Sequence, residues 1–191
     1  MALVLNGDGN ITGLSAGGLP DGSVTADDIA STLDLSGKTV TLPAGGTGYG
    51  KVLQVVSTSG NNLETSTTSS SFVTTNISAS ITPSSTSSKI LIRVMTQLTN
   101  TTAGGEAWIT LYRNGTTNLA GGSNETFGLY RDAKSGTANY IGIQAAIEYL
   151  DSPSTTSSTT YTVYLKKDGT GTAFVAFNGF TTTITLMEIA A

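Results

Sequence analysis

The stretch Val73-Thr74-Thr75-Asn76-Ile77-Ser78-Ala79-Ser80-Ile81 decides the fold, because its apolar and polar residues alternate strictly. Val73, Thr75, Ile77, Ala79 and Ile81 share one face of an extended chain, opposite Phe72, Thr74, Asn76, Ser78 and Ser80. A period of two is the mark of a strand with one face on a core. The pattern repeats downstream. Ile90, Ile92, Val94, Thr96 and Leu98 form one row; Ala107, Ile109 and Leu111 form the next, with Trp108, Thr110 and Tyr112 opposite. Ile141, Ile143, Ala145, Ile147 and Tyr149 follow, then Tyr161, Val163 and Leu165. With Lys51–Ser57, Thr126–Tyr130, Ala173–Phe177 and Thr181–Ile189 added, the pattern predicts about eight or nine strands and no helix in this part of the chain. Asn114-Gly115 is a strong hairpin signal and Asp168-Gly169 a second one.

Composition points the same way. The chain of 191 residues holds 34 threonines and 22 serines, and threonine suits a pleated, half-buried surface. Only 12% of residues are charged, about half the usual share. With 38% apolar residues and a net charge of −4, the chain should nevertheless fold. The reading is all-β: an antiparallel, jelly-roll-like β-sandwich head over residues 51–191. Several strands carry apolar or aromatic residues on both faces, so a second covering surface is expected, and a homotrimer would supply it.

Residues 1–50 read differently. They are rich in glycine, with no aromatic residue before Tyr49. A turn-then-strand unit recurs at Asp8-Gly9-Asn10-Ile11-Thr12 and Asp21-Gly22-Ser23-Val24-Thr25, and more loosely at Ser36–Thr41. Ala26 to Leu33 would form two turns of helix behind an acidic first turn. The apolar residues are too dispersed for a core of their own. Val4, Leu5, Ile11, Leu14, Leu19, Val24, Ile29 and Leu33 are therefore expected to pack against identical copies, in an extended arm that trimerises and docks.

The absences exclude whole classes of chemistry. There is no histidine and no cysteine, hence no imidazole proton shuttle, thiolate nucleophile, zinc knuckle or disulfide. No cofactor, catalytic residue or metal ligand is assigned. Gly45-Gly46-Thr47-Gly48-Tyr49-Gly50-Lys51 imitates a phosphate loop, but Val52 stands where a magnesium-binding hydroxyl belongs and a strand follows where a helix is needed. Gly13-Leu14-Ser15-Ala16-Gly17 imitates a nucleophile elbow without any histidine to activate Ser15. The string Asn6–Thr12 resembles part of a calcium loop, yet the twelve-residue pattern ends on Ser15 instead of a bidentate acid; a weak calcium ion in the arm stays open. Scattered basic residues argue against nucleic acid. The N-terminal apolar run is too short for a signal peptide or membrane span, so assembly in a cytosol is expected.

Leu19-Pro20-Asp21-Gly22-Ser23-Val24-Thr25-Ala26-Asp27-Asp28-Ile29-Ala30-Ser31-Thr32-Leu33-Asp34-Leu35-Ser36-Gly37-Lys38-Thr39-Val40-Thr41-Leu42-Pro43, continuing into Gly50-Lys51-Val52-Leu53-Gln54-Val55-Val56, resembles tail-fibre-like structural proteins of tailed bacteriophages, of the cyanophage and marine-phage type. The later segments Thr82-Pro83-Ser84-Ser85 and Thr185-Leu186-Met187-Glu188-Ile189 resemble a fibre head. The resemblance implies a homotrimeric virion protein, assembled in the host cytoplasm. Its N-terminal arm would dock on other virion proteins and its head would meet the host surface. A capsid-decoration or head-fibre protein and a free carbohydrate-binding module are the alternatives. Trp108 and Tyr112, with Tyr130 and Tyr140, are the candidate contacts to a host glycan or to another subunit, because flat rings pack on sugar faces and are equally common between subunits.

Overall fold

A computed structural model describes residues 4–5, 11–12, 51–121, 125–131 and 142–190. Its strands are β1 (Val4–Leu5), β2 (Ile11–Thr12), β3 (Val52–Gly60), β4 (Thr65–Thr67), β5 (Val73–Ile81), β6 (Lys89–Asn100) and β7 (Glu106–Arg113). They continue with β8 (Thr117–Asn118), β9 (Gly128–Arg131), β10 (Ile143–Asp151), β11 (Thr159–Asp168), β12 (Ala173–Val175) and β13 (Thr182–Ile189). A single turn of 3-10 helix, Phe177–Gly179, is the only helical element among the described residues.

The chain divides into two units, Met1–Thr47 and Gly48–Ala191. In the first, Val4 pairs with Thr12 and Leu5 with Ile11, antiparallel. Leu14, Leu19, Val24, Ile29 and Leu33, and the helix expected over 26–33, lie outside the described residues.

The second unit is an antiparallel β-sandwich. A larger sheet of six strands runs β3-β13-β6-β12-β4, with β10 on the free side of β6. The smaller sheet of five runs β5-β11-β7-β8, with β9 also paired to β7. The expected rows meet between the two sheets: Ile77, Ile81, Ile90, Ile92, Leu98, Ile109, Leu111, Tyr161, Leu165, Ile184 and Leu186 are buried there. Burying side chains of this size contributes about 1.5–3 kcal/mol each. Two inward threonines, Thr96 and Thr182, satisfy each other at 3.0 Å. Thr75, also inward, donates to the Val163 carbonyl at 2.7 Å, where the β5–β11 register shifts. Its hydroxyl replaces the ladder bond that the shift removes.

Two short strands, β4 and β8, escape the alternation reading because two or three residues cannot display a period. Asn114-Gly115 forms the expected hairpin, with φ of 51° and 69°, joining β7 to β8. Asp168-Gly169 does not. It turns, but the chain then leaves the smaller sheet and enters the larger one as β12, which pairs with β4 and β6. Its neighbour is another crossing loop: Thr101 N–H donates to the Thr172 carbonyl at 3.1 Å, and Thr172 N–H to Thr101 Oγ1 at 3.1 Å. A turn dipeptide sets the reversal but not the sheet in which the next strand pairs. Among the described residues of this unit, β7 and β8 are the one sequential pair sharing a ladder.

Candidate functional site

The strand pairings place two different outer faces on the sandwich. On the smaller sheet, Trp108 pairs with Lys166, Thr110 with Tyr164 and Tyr112 with Thr162, all on the side away from the core. The Lys166 ammonium lies 4.6 Å from the centre of the Phe72 ring and 4.7 Å from that of Trp108. Trp108 Nε1 donates to Glu106 Oε2 at 2.7 Å, which fixes the indole in its plane. Tyr112 and Tyr164 stack at 4.1 Å between centroids. Thr110, although outward by alternation, is buried beneath β8 and donates to Asn118 Oδ1 at 2.6 Å.

The structure thus brings Trp108 and Tyr112 to one face, as their spacing predicts, and adds Phe72, Tyr164 and Lys166. Tyr130 pairs in register with Ala107, one position away from Leu129, the partner of Trp108. Tyr140 lies outside the described residues. Phe72 and Tyr164 belong to other strands than Trp108, so no local spacing announces them; only the register does.

The larger sheet presents an apolar band. Register aligns Val55, Met187, Leu91 and Leu150 across β3, β13, β6 and β10. Val55 is 56% exposed and Leu150 48%. Ile189 and Val52 extend the band on one side. On the other runs a polar row, Ser57, Thr185, Arg93 and Glu148, closed by a Ser57–Thr185 hydroxyl pair at 2.9 Å and an Arg93–Glu148 ion pair at 3.0 Å.

Two buried acidic groups are structural. Asp151 accepts from Arg113 Nη1 on both carboxylate oxygens at 2.9 Å and from Tyr161 Oη at 2.7 Å. Burial and this bond to Asp151 push the Tyr161 phenol far above its usual range, so it stays a donor. Glu188 is buried beside the loop between β5 and β6. Ser84 donates to it from both N–H and Oγ at 2.7 Å, and Gln54 Nε2 at 2.6 Å. Burial opposes its ionisation, but bonds from Ser84, Gln54 and Ser88 prevail and hold it down to about 2. Neither group was foreseen, although each shows a legible signal: Glu188, Asp151 and Arg113 are charges falling in the apolar phase of an alternating strand.

Among the described residues, no cluster of three or more acidic side chains could hold a metal ion, and no helix is long and apolar enough to cross a membrane. β3 begins at Val52, directly after the phosphate-loop-like string, so a strand stands where nucleotide binding requires a helix.

No family model matches the chain, and no curated protein does. Solved structures of infectious bursal disease virus are similar at low identity. A chain of its T13 viral particle aligns at 12% identity with a TM-score of 0.38, covering 78% of this chain and 41% of that one. VP2 in a subviral particle gives 13% and 0.34, covering 78% and 44%. A chain of the virus-derived T=1 particles gives 12% and 0.33, covering 78% and 42%. This chain therefore spans about two fifths of the length of those it matches. At that level the likeness bears on neither activity nor assembly.

Proposed function

We propose that the protein is a self-assembling structural subunit of a virion: a homotrimeric tail-fibre component of a tailed phage. Residues 1–50 form its docking arm, and residues 51–191 form a head that meets the host surface. It is not an enzyme. The observation that carries this reading is the band Val55–Met187–Leu91–Leu150, an apolar stripe as wide as four paired strands on the outside of a folded sandwich. A coherent apolar patch on a surface otherwise made of hydroxyls marks a place where another surface sits. The resemblance of Leu19–Pro43 to phage fibre modules supports the virion setting and the trimer. Trp108 and Tyr112 then serve either a subunit contact or a glycan, and the intramolecular use of their neighbouring rings favours packing.

Sedimentation equilibrium tests it: the protein should run at three times its 19.5 kDa mass. Leu91→Lys with Leu150→Lys should return a folded single-copy species. A wild-type monomer at micromolar concentration overturns the reading. Immunogold labelling of intact particles then separates tail from capsid, and absence of label from any particle would leave a free carbohydrate-binding module.

A further inference from the structure

After β12 the chain takes a contorted path. Ala176, Asn178 and Gly179 have φ of 54°, 56° and 72°, and only one of the three is glycine. Left-handed backbone at a residue with a side chain costs on the order of 1 kcal/mol or more and persists only where the surroundings impose it. Here they do. Ala176 N–H donates to the Gln97 carbonyl at 3.0 Å, Asn178 N–H to Glu64 Oε2 at 2.8 Å, and Phe177 meets Phe174 edge-on at 4.8 Å.

This loop forms one wall of a cavity of about 310 Å³, lined by Phe177, Asn178 and Phe180, with Gln97 and Gly142 opposite. Gly142 lies directly against the Gln97 amide, where any Cβ would collide with Nε2. Gln97 Oε1 is buried and has no hydrogen-bond partner. It is the only such side-chain atom among the described residues. A buried acceptor left unpaired costs about 1–3 kcal/mol, and in native proteins such an atom signals a missing water or ligand.

We infer that this cavity is a binding site for a neutral sugar residue. The volume is at the lower end for small-molecule sites, enough for one or two rings. None of its lining side chains is charged, so the site offers nothing to an ion. Two phenyl rings supply flat apolar walls for the C–H face of a pyranose, and the Asn178 and Gln97 amides supply the polar contacts. A hydroxyl both donates and accepts, so it satisfies the orphaned position in either orientation of the Gln97 amide. Gln97 follows Leu91 by six positions along β6, about 20 Å at the rise of a strand, so sugar and neighbouring subunit need not compete.

The inference gives the host-surface part of the proposed function a chemical class, and rests on that reading only for where the sugar comes from. The test is saturation-transfer difference NMR on the full chain with a panel of methyl hexosides and methyl N-acetylhexosaminides. Wild type should show transfer to at least one probe. Gln97→Met should weaken binding at least tenfold while leaving the melting temperature unchanged or higher, since it removes the orphaned atom at similar volume. Phe180→Ala should weaken binding likewise. The proposal fails if no probe receives saturation from folded wild type, or if Gln97→Met and Phe180→Ala both bind as wild type does. It also fails if Gln97→Met is destabilised without any probe binding, which would leave an internal water as the partner. A monomer that binds sugar would keep this inference and sink the assembly reading; a trimer that binds none would do the reverse.

Discussion

Asp151 on β10 and Arg113 on β7 belong to opposite sheets, and both carboxylate oxygens of Asp151 take a hydrogen bond from Arg113 Nη1 at 2.9 Å. With Tyr161 Oη at 2.7 Å on the same carboxylate, they tie the two layers together at one end of the core. Asp151→Asn leaves the half-covered guanidinium without its counter-ion. A loss of about 3 kcal/mol is expected, the lower end for breaking a buried pair. Tyr161→Phe should cost only about 1–2 kcal/mol, one hydrogen bond to a charged group. Urea titration of both variants checks the order; equal losses would show that the phenol, and not the ion pair, joins the sheets.

Glu188 should make the fold acid-sensitive. Its folded value of about 2 lies below its ordinary 4.5, so between these the unfolded chain binds the proton more readily. The stabilisation is complete above about pH 4.5 and is lost as pH falls towards about 2. Glu188→Gln, which keeps the shape and removes the charge, should be less stable at neutral pH and show a flatter decline in that window. Melting curves at pH 7, 4.5 and 3 decide it. Parallel acid declines in both proteins would place the sensitivity elsewhere.

Lys166 stands over two rings, Phe72 and Trp108, and each cation–π contact at a partly exposed site contributes about 0.5–1 kcal/mol. Lys166→Ala is expected to lose about 1–2 kcal/mol by that sum. Because Trp108 is the only tryptophan, its fluorescence should shift in the variant. An unchanged spectrum would mean that the ammonium does not rest on the indole in solution. Trp108→Ala separates the two uses of this face. Trimer dissociation is the expected result; intact trimers that no longer bind cells would assign the face to a glycan.

Deleting residues 1–43 should abolish attachment to particles and leave a soluble head, because every strand of the sandwich lies beyond that point. Co-sedimentation of the truncated chain with virions would show that docking does not reside in the arm.

The inward rows were legible because alternation is local. Ile77, Ile92, Ile109, Val163 and Leu186 are buried as their phase requires. Trp108 and Tyr112 were likewise legible as outward on one strand. Phe72, Tyr164 and Lys166 were not, since they reach Trp108 and Tyr112 only through the pairing of β11 with β7 and the course of the chain before β5. The same limit hid the contact between the two fibre-head-like segments, Thr82–Ser85 and Thr185–Ile189: Glu188 of one is held by Ser84 of the other.

By itself, the sequence determined that this protein is made of strands, which side chains of each strand seek a core, and that no thiol or imidazole chemistry is open to it. Those properties follow from residue type and a period of two, both readable within a few positions. Tertiary structure decided which strands lie side by side, that Asp168-Gly169 crosses between sheets, and that Gln97 and Phe180 face one cavity. Hydrogen bonding between backbones is indifferent to side-chain identity, so pairing and register are settled only when both layers close over a shared core.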